Sequence, residues 1–159
     1  MFSSLLFLLS VPALLAQAAG APGDRFLYLN PNNDTSLCLN VRGGVFADGT
    51  PVDVAACDLN AGFLQQWTLF SGSTKVQVHG TTYCLDAGSN PGNGVGMKIW
   101  TCYDNLPAQQ WYFTNDSRIA LENHGLCLDL TNGVHVPGNQ VQTWQCTDNN
   151  NNQVWTYVP

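Results

Sequence analysis

Residues 126–155 read LCLDLTNGVHVPGNQVQTWQCTDNNNNQVW, and the same skeleton stands twice upstream, as YCLDAGSNPGNGVGMKIWTCYDNLPAQQW at 83–111 and LCLNVRGGVFADGTPVDVAACDLNAGFLQQW at 37–67. Each copy opens on a cysteine between apolar residues (Cys38, Cys84, Cys127) and reaches a second cysteine 18 or 19 residues later (Cys57, Cys102, Cys146). Each then closes on Gln-x-Trp, with Gln65, Gln109 and Gln153 preceding Trp67, Trp111 and Trp155, and the tryptophans recur every 44 residues. A period of this size marks a repeat architecture, in which no unit can bury its apolar face without its neighbours.

Inside the copies the apolar period is two, as in Leu37-x-Leu39-x-Val41, Val52-x-Val54 and Val76-x-Val78, and no stretch carries a useful amphipathic helical period. Turn dipeptides stand at Asp48-Gly49, Asn93-Gly94 and Pro137-Gly138, the glycine eight residues before each second cysteine. The chain is therefore expected to be all-β. Three units, each with room for about four short strands, predict a closed threefold β-trefoil of about 12 strands rather than a solenoid or a many-bladed propeller. The repeats fall approximately at 24–69, 70–114 and 115–159.

Met1 to Ala18 holds an apolar run around Leu5 to Leu9, followed by Ala16-Gln17-Ala18, the pattern of a signal peptide and its cleavage site. The run is too short for a membrane span, and no later segment approaches ~18 apolar residues. The expected product is a secreted, extracellular protein, a single domain over 19–159, large enough to bury roughly two-thirds of its unfolded surface. In an oxidising compartment the six cysteines pair. Six cysteines formally permit about 15 pairings, and the period favours Cys38 with Cys57, Cys84 with Cys102 and Cys127 with Cys146. A zinc site is disfavoured, because there is no Cys-x-x-Cys pair and His79, His124 and His135 follow no ligand spacing, so neither metal nor cofactor is expected. Asn33-Asp34-Thr35 and Asn115-Asp116-Ser117 are N-glycosylation sequons, at Asn33 and Asn115.

Only five residues are Lys or Arg and the net charge is −6, which argues against nucleic acid and other phosphate-rich partners. The polar chemistry rests on amides, hydroxyls and aromatic rings instead. Side-chain alternation along the strand before the second cysteine places Val52, Val54, Met97, Ile99, Val141 and Thr143 on the core side. The other side holds Asp53 and Ala55, Lys98 and Trp100, Gln142 and Trp144. At the first cysteine the same reading leaves Asn40, Asp86 and Asp129 on the outer side. If the two strands run antiparallel, the disulfides set Asp86 opposite Trp100 and Asp129 opposite Trp144.

A carboxylate that only accepts hydrogen bonds, beside an exposed indole, suits a sugar, which offers hydroxyl donors at its rim and an apolar C–H face. Two repeats carry that pair, and the first has Asn40, Asp53 and Ala55 instead. The Gln-x-Trp tryptophans persist even in the repeat with no pocket, which assigns Trp67, Trp111 and Trp155 to the core.

Taken together, Cys-Leu-Asp, a glycine turn, Trp-x-Cys and Gln-x-Trp along nearly the whole mature chain resemble the ricin B-chain-type β-trefoil lectins. The resemblance implies a non-enzymatic carbohydrate-binding protein whose primary site is Asp129, Gln142, Trp144, Asn152 and Gln153. There Asp129 accepts bonds from adjacent hydroxyls, Trp144 stacks, Gln142 and Asn152 add polar contacts and Gln153 braces the aspartate. The second repeat keeps Asp86, Trp100 and Gln109 but has Lys98 and Ala108 where the family often has hydrogen-bonding side chains, so its pocket is expected to be either weak or differently selective. The first repeat, with Asn40, Ala55 and Leu64, looks like a structural copy. The family often prefers galactose or N-acetylgalactosamine, and its members also bind other glycans, so the resemblance implies a leaning toward these two sugars.

Two rival readings remain open at this level. An enzyme would need a nucleophile, metal or paired-acid motif, and none appears. A protein-interaction or protease-inhibitor role without sugar binding is excluded by no residue pattern, since a fold does not fix a function.

Overall fold

Three tryptophans that bury their whole surface need partners for their indole N–H groups, and the chain supplies these identically in each repeat. In the computed structural model, which describes residues 26–159, Trp67, Trp111 and Trp155 are all 0% exposed. Their Nε1 atoms donate to the carbonyls of Leu39 (2.9 Å), Leu85 (3.1 Å) and Leu128 (3.0 Å), the residue after each first cysteine. Losing one such side chain to alanine costs about 3–5 kcal/mol in a packed core. The expected signal sequence at 1–18 lies outside the described residues.

Repeat one supplies β1 (Tyr28–Pro31), β2 (Leu37–Val41), β3 (Val52–Ala56) and β4 (Trp67–Thr68). Repeat two supplies β5 (Gly72–Thr74), β6 (Gln77–Val78), β7 (Tyr83–Asp86), β8 (Val95–Gly96), β9 (Lys98–Thr101) and β10 (Trp111–Phe113). Repeat three supplies β11 (Ile119–Leu121), β12 (Leu126–Leu130), β13 (Val141–Gln145) and β14 (Trp155–Val158). The described residues thus hold fourteen strands and five short 3-10 turns, with no α-helix. The excess over twelve lies in repeat two, where Met97 separates β8 from β9 and β5 adds a short piece.

The architecture is a β-trefoil. Hairpins β2–β3, β7–β9 and β12–β13 are the equivalent antiparallel pair of the three repeats. The ends of the described chain meet through β1 and β14, from Tyr28 opposite Val158 to Pro31 opposite Trp155. Around the pseudo-axis each repeat hands its turn to the next: Gly49 N–H donates to Ile99, Gly94 to Thr143 and Gly138 back to Val54. The expected core parity holds, with Val52, Val54, Met97, Ile99, Val141 and Thr143 all buried.

All three expected disulfides are present, Cys38–Cys57, Cys84–Cys102 and Cys127–Cys146, with Cα separations of 5.0, 5.1 and 5.1 Å. Their register corrects one expectation. The cysteines are not directly opposed: Cys84 pairs with Trp100 and Cys127 with Trp144 across the ladder, while the second cysteine lies just past the strand end. The bridge therefore runs diagonally, and the aspartates move two positions along, so that Asp86 faces Lys98 and Asp129 faces Gln142.

Candidate functional site

Gln-x-Trp explains more than the core. In each repeat the glutamine accepts the N–H of the residue after the second cysteine (Asp58, Tyr103, Thr147) and donates to the carbonyl of the residue before it (Ala56, Thr101, Gln145). That pins a 3-10 turn against the hairpin and leaves Nε2 free to share with the side chain on the first strand. In repeat three this acceptor is Asp129, whose Oδ2 receives Gln153 Nε2 at 3.2 Å while its Oδ1 receives Gln142 Nε2 at 2.9 Å.

Asp129 is only 3% exposed, so it forms the floor of a cleft and does not stand on the surface, as strand parity had led us to expect. Neighbouring strands and the 3-10 turn cover it. Burial pushes its carboxyl above the ordinary carboxylate value, and the two amide donors partly offset that shift. Two carboxylate oxygens offer about four acceptor positions, so two amides leave capacity for a ligand's hydroxyls. The cleft, of about 240 Å³, is lined by Asp129, Asn132, Gln142, Trp144, Asn150 and Asn152. Trp144, 41% exposed, is its one aromatic wall.

The primary-site residues read from the sequence thus converge, with Gln153 buried beneath as a brace. Asn132 and Asn150, which the sequence reading did not single out, line the same cleft. Asn132 sits at φ 55 in the turn after β12, and Asn150 receives Asn152 N–H on its side chain at 3.1 Å. Aligning the repeats on the aspartate exposes the first of these, since the third position on is Gly43, Ser89 or Asn132 and only the last offers an amide.

In repeat two, Asp86 accepts Gly88 N–H (2.7 Å) and Gln109 Nε2 (2.9 Å), and lies with Lys98 and the half-buried Trp100 in a cleft of about 280 Å³. Leu106 and Ala108 make that cleft less polar than the third-repeat one. In repeat one the roles of the strands are exchanged: Asn40 Nδ2 donates to Asp53 Oδ1 (2.8 Å), and Arg42 closes over Asp53 Oδ2 (2.9 Å) and the Gly138 carbonyl (3.1 Å). Leu64 fills the adjoining space, standing 2.9 Å from where a Cβ on Gly44 would lie. Neither an aromatic wall nor an uncovered carboxylate is left there.

Each indole rests on the turn of the preceding repeat. A Cβ built on Gly94 would stand 3.9 Å from Trp144 Cζ3, and one on Gly49 would stand 3.7 Å from Trp100 Cζ3. Asn93 and Asp48 latch the same turns to Gln145 N–H and Thr101 N–H at 2.7 and 2.6 Å. The lining of each cleft thus comes from one repeat, while its aromatic wall is backed by the turn of the preceding one.

The family model for the ricin-type beta-trefoil lectin domain matches residues 28–157. Among solved structures, the chain is similar to the designed threefold symmetric protein ThreeFoil (22% identity, 84% of this chain and 98% of that one, TM-score 0.73). It is also similar to the agglutinin from Abrus precatorius (18%, 89% and 51%, TM-score 0.69) and to the C-half of an earthworm R-type lectin in complex with GalNAc (17%, 83% and 96%, TM-score 0.66). The chain spans about half the length of the Abrus agglutinin chain. No curated protein sequence matches it significantly.

Proposed function

Because the chain belongs to the ricin-type β-trefoil lectin domain family, whose members are generally non-enzymatic carbohydrate-binding domains, we propose that it is a secreted lectin for terminal galactose or N-acetylgalactosamine. Asp129, Gln142, Trp144, Asn152 and Gln153 form the primary site, joined by Asn132 and Asn150, and Asp86, Lys98, Trp100 and Gln109 form a second. The observation that carries this reading is the buried Asp129 carboxylate, held by two amides, beside the exposed face of Trp144. A hexose with an axial hydroxyl presents adjacent O–H donors to the carboxylate and one uninterrupted C–H face to the indole.

Structures of two similar proteins support the sugar class. The earthworm lectin C-half was solved with GalNAc, and a non-toxic homologue of type II RIPs from Momordica charantia (21% identity, TM-score 0.65) with α-methyl-D-galactoside. Three disulfides in one small domain favour an oxidising, extracellular destination. The signal peptide 1–18, the single domain 19–159 and glycosylation at the exposed Asn33 and Asn115 belong to the same proposal. An open monosaccharide cleft of this size holds its ligand at about millimolar strength, near −4 kcal/mol, and clustered glycans then gain by avidity.

The test is a galactose titration followed by tryptophan fluorescence, with Asp129→Ala alongside. A saturable change that disappears in the folded variant supports the third-repeat site. Silence toward galactose, N-acetylgalactosamine and a broad glycan panel overturns it in favour of a protein-interaction role.

A further inference from the structure

Four cationic side chains lie among the described residues, and three of them are consumed by carboxylates. Arg42 bonds Asp53 at 2.9 Å, Lys75 bonds Asp104 at 2.8 Å and Arg118 is paired with Asp116. Lys98 differs. Its Nζ is 3.9 Å from Asp86 Oδ1, outside hydrogen-bonding distance, and it makes no hydrogen bond among the described residues. The side chain is two-thirds covered, and the three ammonium donors are unspent among the described residues.

Its position gives those donors a direction. Lys98 stands opposite Asp86 in the β7–β9 ladder, where repeat three has Gln142 opposite Asp129. Nζ lies 5.5 Å from the Trp100 ring centroid and lines the same cleft as Asp86, Trp100 and Ser89. A pyranose held by Asp86 through its hydroxyls and stacked on Trp100 brings its ring substituents within reach of that ammonium.

Charge separates the two clefts. In repeat three a carboxylate is surrounded by amides, so an anionic ligand meets a negative floor in a protein of net charge −6. In repeat two Lys98 cancels Asp86 and still has donors to offer. The apolar Leu106 and Ala108 replace Asn150 and Asn152 on the rim and withdraw water from the charge, which strengthens an ion pair formed there.

We infer that the second-repeat cleft selects an acid-bearing hexose, with Lys98 as the specificity-determining residue that binds its carboxylate or sulfate while Asp86 and Trp100 hold the ring. The inference rests on the lectin reading above and assigns the two clefts different ligands, neutral in repeat three and anionic in repeat two.

The experiment uses the full mature protein carrying Asp129→Ala to silence the third repeat, with the Trp100 indole N–H resonance identified through Trp100→Phe. Methyl galactoside, galacturonic acid and methyl galactoside 6-sulfate are titrated in turn. At least one acid sugar is expected to move the Trp100 resonance at roughly five- to tenfold lower concentration than the neutral one, an advantage that added salt erodes. The two acid arms tell carboxylate from sulfate. Lys98→Gln, which copies the third repeat, is expected to bring the acid sugars down to the affinity of the neutral one and so erase the preference. Equal affinities for all three sugars, or a preference that survives Lys98→Gln, overturns the inference. If Trp100 stays silent while intact protein responds to galactose at Trp144, the inference fails and the third-repeat reading stands; if both indoles stay silent, both fail.

Discussion

Gly133 and Asn152 approach so closely that a Cβ on Gly133 would lie 2.5 Å from Asn152 Oδ1. Gly133 also holds φ +63, where a side chain is strained. Absence of a side chain at 133 thus seats the amide that forms one wall of the third-repeat cleft. Gly133→Ala is expected to push Asn152 from its place and weaken galactose binding severalfold. The backbone strain should lower stability by only about 1 kcal/mol. Titration and a denaturant melt on the same variant separate the two effects, and unchanged affinity would remove Asn152 from the site.

The buried carboxylate of Asp129 makes a second expectation, about pH. Its folded-state pKa is raised above the unfolded value, chiefly by burial. The stability associated with its protonation is therefore present at low pH and lost as pH rises through the raised value, so ionised Asp129 opposes folding near neutrality. Repeat one carries Asn40 at this position, also buried, which shows that the fold accommodates an amide there. Asp129→Asn is expected to melt no lower than the parent at pH 7, with any advantage shrinking on acidification. In the proposed site galactose is bound by the ionised acceptor, so binding should fade as pH falls through the raised value, earlier than an ordinary aspartate would dictate. Parallel thermal melts and titrations from pH 3 to 7 check both signs, and a marked loss of stability in Asp129→Asn would contradict the first.

The disulfides tie the ends of the hairpins that carry the clefts. Trp144 stands directly opposite Cys127 and two residues before Cys146. Replacing Cys127 and Cys146 together by serine releases a loop of 19 residues' separation, which the chain-entropy account puts at about 3 kcal/mol of stability. Denaturant unfolding measures that loss. Sugar affinity measured well below the unfolding midpoint should also fall, because the strand end that aims the indole is no longer held.

Much of this molecule is local enough to read in one dimension. Cys127, Leu128 and Asp129 declare their faces by alternation, and the 44-residue recurrence of Trp67, Trp111 and Trp155 follows from a core that all three repeats share. The diagonal disulfide register was not legible, because strand twist decides which residues a bridge can join, and two ladder positions separate Asp129 opposite Trp144 from Asp129 opposite Gln142. Burial of Asp129 was equally hidden: alternation tells which face a side chain takes, while the cover comes from the 3-10 turn at Asn151–Gln153. The turn of one repeat beneath the indole of the next is a contact between residues about fifty positions apart, as with Asn93 and Gln145, and no local pattern announces it.

That contact between repeats bears on why the first repeat lacks a cleft. A Cβ on Gly138 would meet nothing within 4 Å, where the equivalent Gly49 and Gly94 each touch an indole, so space for a tryptophan at position 55 persists. Ala55→Trp is therefore expected to fold. It should not create a sugar site, because Arg42 still spans Asp53 and the Gly138 carbonyl, and Asn40 offers an amide where a carboxylate is needed. Leu64, packed against Gly44, also keeps the rim apolar. The new indole should give no fluorescence response to galactose in protein that also carries Asp129→Ala and Asp86→Ala. A response from Ala55→Trp in that background would show that an aromatic wall alone makes the site, and would demote the buried carboxylate from anchor to accessory.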